Sequence, residues 1–230
     1  ELKIRDEMLA DFPRTPEEIL EHVRDYYAMI THLDAQIGRI IDAVEAKGML
    51  ENTIFIMAGD NGLAVGQHGL MGKQSCYEHS CRVPLIFSGP GIPKSKLTDA
   101  KVYLLDIFPT LCEMLGFETP ESVDGESFLD CIQDEGQGRE KMLLAYKNCQ
   151  RGIRDDQYKL VEYVVDGKHN MTQLLDVVND PLELTNLADD PAQADRVARM
   201  RKDLVAMANE WGDMECETGK VFWQAAGDLS

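Results

Sequence analysis

The most constraining stretch of the chain is residues 53–84, TIFIMAGDNGLAVGQHGLMGKQSCYEHSCRVP. Residues 53–57 form a short continuous apolar run whose length and β-branching favour a buried strand over a piece of helix. The run stops at Ala58 and Gly59 and delivers Asp60 and Asn61 side by side at its end. Glycines at 62, 66, 69 and 72 then turn the chain repeatedly, and Lys73 arrives thirteen positions after Asp60. In open α/β sheets, ligands bind at the carboxyl ends of strands. Two hard oxygen donors followed by a loop that returns one cation therefore point to a metal-and-anion site. The same Asp60-Asn61-Gly62 is also a common turn sequence after a strand, so these three residues alone do not decide the matter.

The flanking segments predict an α/β architecture. Thr15-Pro16-Glu17-Glu18 is a helix start, with a capping threonine, a proline at the first helical position and a glutamate that completes a capping box. Apolar residues at 19, 23, 26, 27, 30, 33, 37, 40, 41 and 44 recur at helical spacing until Gly48, and this stripe is expected to pack on the sheet that contains the 53–57 strand. Residues 83–88 read as a second strand and 102–105 as another short extended segment. Residues 106–111 lead into a helix that runs through Leu115 and stops at Gly116. Near Gly125 to Gly138 the composition turns acidic and glycine-containing, which divides the chain into 1–135, part of an α/β domain, and 136–230, a small α+β subdomain. In the second part, apolar runs at 142–146, 151–154, 158–164 and 173–177 alternate with turn sequences and predict an antiparallel sheet of about four strands. An amphipathic helix over 191–211 follows, and the tail after Gly212 shows no pattern.

Charge narrows the partners. With 41 acidic against 23 basic residues the net charge is −18, which argues against a general nucleic-acid surface because a polyanion would be repelled. A lysine in a glycine-rich loop beside a metal can still hold an anion locally. No apolar run approaches the length of a membrane span. The opening residues read as the middle of a longer protein, and the compartment of that protein stays open. Six scattered cysteines without a CxxC pair favour free thiols, with one or two disulfides as the alternative.

A carboxylate and an amide oxygen suit calcium or magnesium better than zinc. They complete only part of such a site, so other carboxylates and the substrate must supply the rest. The wider pattern makes the site specific. Asp60-Asn61-Gly62, Gly66-Gln67-His68-Gly69-Leu70, Gly72-Lys73, Tyr77-Glu78 and Arg82-Val83-Pro84 together resemble the sulfatase family of the alkaline-phosphatase superfamily. Tyr26-Tyr27-Ala28 and the segment from Leu33 to Arg39 are similar to the helix that precedes this strand in sulfatases. Gly89-Pro90-Gly91, Asp106 to Leu111, Gly125, Tyr158-Lys159-Leu160 and Asn179-Asp180-Pro181 resemble segments that follow it.

The resemblance implies an alkaline-phosphatase-like α/β sheet sandwiched by helices, then a small antiparallel sheet with a packed terminal helix. It implies a calcium-dependent hydrolase of sulfate esters or sulfamates, acting on a sulfated small molecule or sulfated sugar. Asp60 and Asn61 fall where the family places two metal ligands, Lys73 where it places a lysine on the sulfate, and His68 in a recurrent glycine-histidine segment, here Gly66-Gln67-His68-Gly69, near substrate or in a loop-stabilising role. One departure is decisive for activity. The family's nucleophile is a formylglycine made within a Cys/Ser-x-Pro/Ala-x-Arg motif, and that motif does not occur here. The early metal-binding aspartates are absent too. The chain is therefore expected to be the C-terminal half of such an enzyme, inactive without its N-terminal half, and to self-associate through an exposed sheet edge when alone. The alternatives are a phosphomonoesterase or phosphodiesterase of the same superfamily, and a non-catalytic binding or oligomerisation module. Asn61 weighs against a two-zinc phosphatase, where an imidazole would bind better.

Overall fold

The computed structural model describes residues 5–133 and 136–229. The expected boundary after residue 135 and the first four residues lie outside the described residues. The described chain separates into two compact units, one formed by the chain up to Lys73 with Val83–Gly138, the other by Gln74–Arg82 with the chain from Arg139 onward.

In the first unit, helix α1 (Pro16–Ala46) starts as its sequence dictates. The Thr15 hydroxyl accepts from the Glu18 amide at 3.2 Å, and the first turn carries Pro16, Glu17 and Glu18. The expected packing of its apolar stripe on the sheet is not found. No residue of α1 is buried, and Tyr27 and Ile40 are 64% and 60% exposed. The reason is the size of the sheet. Among the described residues of this unit it has two four-residue strands, β1 (Phe55–Ala58) and β2 (Leu85–Ser88), paired antiparallel with Phe55 opposite Ser88 and Ala58 opposite Leu85. That face is too small to cover a 31-residue helix.

Beyond β2, Gly89 sits at φ +149°, and a Cβ there would lie 2.6 Å from the Thr53 carbonyl oxygen. Glycine is what allows this backbone crossing. The segment expected to be extended at 102–105 instead enters a 3-10 turn at Leu104–Asp106. The cause is the buried Asp106 carboxylate, which accepts from the Tyr103 amide at 2.7 Å and the Glu126 amide at 2.9 Å. Those bonds draw the chain into a turn ahead of α2 (Ile107–Leu115), which ends at Gly116 as expected. Thr110 completes the brace by donating to the Asp106 carbonyl and accepting from the Phe128 amide.

The second unit contains the expected four-stranded antiparallel sheet, β3 (Met142–Tyr146), β4 (Gln150–Arg154), β5 (Tyr158–Val165) and β6 (Lys168–Asp176), in chain order. Helix α3 (Ala194–Glu210) lays Val197, Met200 and Leu204 against Ile153, Leu160 and Leu174. The tail that shows no sequence pattern forms α4 (Glu217–Ala226), whose Phe222 and Ala226 pack with Val164 and Leu229.

β5 carries a buried charge on each face, because side chains alternate along a strand. Glu162, on the face of Leu160 and Val164, receives His169 Nε2 at 2.6 Å, the Thr172 hydroxyl at 2.7 Å and Arg201 Nε at 2.7 Å. On the opposite face Lys159 Nζ lies 2.7 Å from both Glu78 and Glu183 and donates to the Cys76 carbonyl at 2.9 Å. The helical turn Glu78–Cys81 is thereby fastened to the sheet, with Glu183 also accepting from the Glu78 amide at 2.7 Å. Burial works to raise the Glu78 pKa, but Lys159 and Arg154 outweigh it and hold it below the ordinary value of 4.5. Glu78 therefore contributes stability that is present above that value and is lost as pH falls through its lowered folded-state pKa. Removing one partner leaves the others buried without compensation. Lys159→Met is expected to destabilise the chain by about 3–5 kcal/mol, measured by urea unfolding, whereas a loss below about 1 kcal/mol would mean that the pair acts like a surface ion pair.

Candidate active site

β1 ends at Ala58, so that Asp60 and Asn61 follow its end as the sequence pattern predicts. Pairing continues one residue past the strand, where the Gly59 amide donates to the Pro84 carbonyl at 3.1 Å, and Asp60 follows as an exposed residue. Asp60 Oδ1 accepts from the Asn61 amide at 2.8 Å, and Asn61 Nδ2 donates to the Gly62 carbonyl at 3.1 Å. Asp60 is a bend, and no backbone bond of a β-turn spans Asp60-Asn61-Gly62 among the bonds of the described residues. The Asn61 side chain uses its nitrogen on the Gly62 carbonyl and keeps its amide oxygen as an acceptor.

Residues 64–72 close on themselves by nested backbone bonds. The Ala64 amide donates to the Gly72 carbonyl at 2.8 Å, Val65 to Met71 at 3.4 Å and Gly66 to Leu70 at 2.7 Å. This pairing brings the end of the loop back to its beginning, so Lys73 returns to the start of the loop that leaves Asn61. His68 has the opposite placement. It occupies the tip, in the 3-10 turn Gln67–Gly69, three residue pairs out from the Ala64–Gly72 closure. Both Lys73 and His68 are half-buried.

The closed loop is not relaxed. Val65 and His68 hold φ of 43° and 55°, a left-handed conformation that costs a non-glycine residue about 1–2 kcal/mol. Gly66, at φ +98°, presses against α1: a Cβ there would lie 2.5 Å from Ile19 Cγ2. The larger restraint comes from residues ahead of α1, for which the sequence pattern gives no element. Glu7, in the 3-10 turn Arg5–Leu9, is 4% exposed and accepts from the Gly72 amide at 2.7 Å and the Met71 amide at 3.0 Å. Arg14 Nη1 lies 2.7 Å from Glu7 Oε2, its Nη2 donates to the Glu7 carbonyl at 2.6 Å, and Nη1 also donates to the Gly69 carbonyl. No periodicity or motif links positions 7 and 14 to position 72, so the sequence carries no signal for this clamp.

Burial works to raise the Glu7 pKa, but the Met71 and Gly72 amides and Arg14 together hold it below 4.5. The clamp's contribution is therefore intact above that value and is lost as pH falls through the lowered folded-state pKa.

Asp60 and Asn61 pass a chemical test for calcium, since both offer hard oxygens at a strand end. They fit only a share of the site, because calcium takes about 6–8 oxygens. Among the described residues no group of three or more His, Cys, Asp or Glu side chains could hold a metal.

Two family models match the chain: N-sulphoglucosamine sulphohydrolase, C-terminal, over residues 66–210, and sulfatase over residues 4–117. The chain belongs to the sulfatase family. Its curated relatives include arylsulfatase K of Bos taurus, 34% identical over 187 residues that cover 76% of this chain and 34% of the relative. The choline-sulfatase of Rhizobium meliloti (strain 1021) is 34% identical over 190 residues, covering 79% and 36%. The chain thus spans about a third of the length of the curated relatives it matches. Among solved structures, BT4656 in complex with its substrate D-glucosamine-2-N,6-O-disulfate superposes with a TM-score of 0.80 at 25% identity, over 88% of this chain and 43% of that one. The phosphonate monoester hydrolase of Agrobacterium radiobacter gives 0.76 at 26% identity, over 85% and 43%. The fold is accordingly part of the alkaline-phosphatase-like architecture that these solved structures share.

The loop geometry makes its own prediction. Gly66→Ala adds a Cβ into Ile19 at a left-handed position and is expected to cost about 1–3 kcal/mol. Urea unfolding together with amide exchange over residues 64–72 measures it, and an unchanged midpoint and exchange pattern would contradict the packing described.

Proposed function

We propose that the chain is the downstream part of a sulfuric ester hydrolase, in which it supplies two calcium ligands, Asp60 and Asn61, and one sulfate-binding cation, Lys73. The observation that supports this reading is the Ala64–Gly72 closure, which brings the residue before Lys73 back to a position three residues after Asn61 in the chain. Calcium, when bound, would neutralise the substrate's sulfate oxygens as a Lewis acid. The Asp60 carboxylate and Asn61 amide oxygen would hold part of its shell, and the ammonium of Lys73 would stabilise negative charge as it builds on the sulfate oxygens. His68, at the loop tip, acts in this reading as a residue near the leaving group or as a stabiliser of the turn.

The formylglycine nucleophile and the remaining metal ligands are assigned to an upstream half. Two observations support that assignment: the nucleophile motif is missing from the sequence, and the chain spans about a third of its relatives. The exposed stripe of α1 gives the upstream half an apolar face to cover. Without it, the same stripe and the edges of the two-stranded sheet would drive self-association of the chain. A sulfated sugar is the substrate class favoured here, supported by the disulfated glucosamine bound to BT4656, with other sulfated small molecules as the broader class. No helix among the described residues is long and apolar enough to cross a membrane.

The likeness to a phosphonate monoester hydrolase keeps hydrolysis of phosphorus esters as a second reading. Paired sulfate and phosphate esters of one leaving group, assayed with metal analysis of the complete enzyme, separate the two. The proposal expects calcium and sulfate-ester preference, with Asp60→Ala and Lys73→Ala each lowering kcat/KM about 100-fold or more, and no turnover by the chain alone. Phosphate preference, or near-normal activity in either variant, would overturn it.

A further inference from the structure

The Glu7–Arg14 pair is buried, lies outside the metal and sulfate residues, and directs its carboxylate at one short piece of backbone. Its hydrogen bonds go to Met71 and Gly72, the two residues that immediately precede Lys73. Both side chains are nearly inaccessible, at 3% for Glu7 and 4% for Arg14. Burying an ion pair is on its own poor evidence for a stabilising role, since desolvation offsets most of the attraction. What this pair does is specific: it satisfies two backbone N–H groups on the returning arm of the loop while Arg14 holds the Gly69 carbonyl on the same arm. The departing arm, residues 64–66, is held across the loop by its bonds to that arm and by contact of Gly66 with Ile19.

The consequence falls on Lys73. A lysine ammonium rides on a flexible four-carbon stem, so its reach is set by where the backbone places its Cα. A loop with two non-glycine residues in left-handed conformation holds such a position only when its surroundings fix it. We propose that Glu7, oriented by Arg14, is a positioning residue for Lys73, fixing the peptide before it so that the ammonium meets the sulfate group. This rests on the sulfate-binding reading of Lys73, and Glu7 itself touches neither substrate nor metal.

The test is a kinetic double-mutant cycle in the complete enzyme with 4-nitrophenyl sulfate, joined to amide hydrogen exchange on the chain at neutral pH. Glu7→Ala is expected to lower kcat by about 10- to 100-fold, the size of effect that a misplaced catalytic-site group produces. KM should change much less. Glu7→Gln with Arg14→Leu, which keeps one acceptor oxygen for the Gly72 amide and leaves no lone buried charge, should recover part of the loss seen in Glu7→Ala with Arg14→Leu. In a Lys73→Ala background, Glu7→Ala should cost no more than about threefold, because residues that act through one another are not additive. Exchange at Met71 and Gly72 should accelerate in Glu7→Ala. Where that variant fails to fold, Glu7→Ala with Arg14→Leu leaves no lone buried charge and takes its place, with the same non-additivity expected. An equal penalty for Glu7→Ala in both backgrounds, or unchanged exchange at Met71 and Gly72, overturns the inference. Near-normal activity of Lys73→Ala overturns the sulfate-binding reading instead and is told apart by the exchange result, which does not depend on turnover.

Discussion

The functional reading depends on one backbone closure. The chain leaves the end of β1 at Asp60 and Asn61, makes an excursion through four glycines and comes back when the Ala64 amide meets the Gly72 carbonyl. Without that return, Lys73 would be a lysine on a long surface loop. The excursion is strained at Val65 and His68, and the strain is tolerated because Glu7, Arg14 and Ile19 over-determine the loop from the segment that leads into α1 and from its first turns. The order of causes runs from a buried carboxylate, to two backbone N–H groups, to the position of one ammonium.

The second unit solves a different problem. β5 is covered on both faces and carries Lys159 and Glu162 inward in opposite directions, so each charge needs a complete set of partners. Glu162 is met by a histidine, a threonine and an arginine, and Lys159 by two glutamates and a backbone carbonyl. The second set fastens the segment that follows Lys73 in sequence onto the four-stranded sheet.

Where local chemistry was self-sufficient, the sequence was legible. The Thr15-Pro16 start of α1, the stop of α2 at Gly116 and the hairpins of β3–β6 all rest on residues within a few positions of one another. Helix α4 was missed because its cap is a cysteine: Cys216 Sγ accepts from the Gly219 amide at 3.3 Å, in a position where Ser, Thr, Asp or Asn would have signalled a start. The turn at Leu104–Asp106 has a local cause, the Tyr103 amide on Asp106 in a capping box that opens on a tyrosine rather than on a usual cap residue, and a distant one, the Glu126 amide twenty residues away. The clamp on the loop was invisible because its partners are farther apart still, Glu7 and Gly72 being 65 positions apart. The stripe of α1 was read correctly as apolar and wrongly as covered, because periodicity reports which face is apolar and not what lies against it.

The central claim is that this chain contributes Asp60, Asn61 and Lys73 to a single calcium-and-sulfate site. A crystal structure of the complete enzyme with calcium and inorganic sulfate tests it most directly. The account predicts oxygens of Asp60 and Asn61 at about 2.3–2.6 Å from the ion and the Lys73 ammonium within hydrogen-bond distance of a sulfate oxygen. Calcium bound without either residue, or sulfate seated away from Lys73, would contradict it.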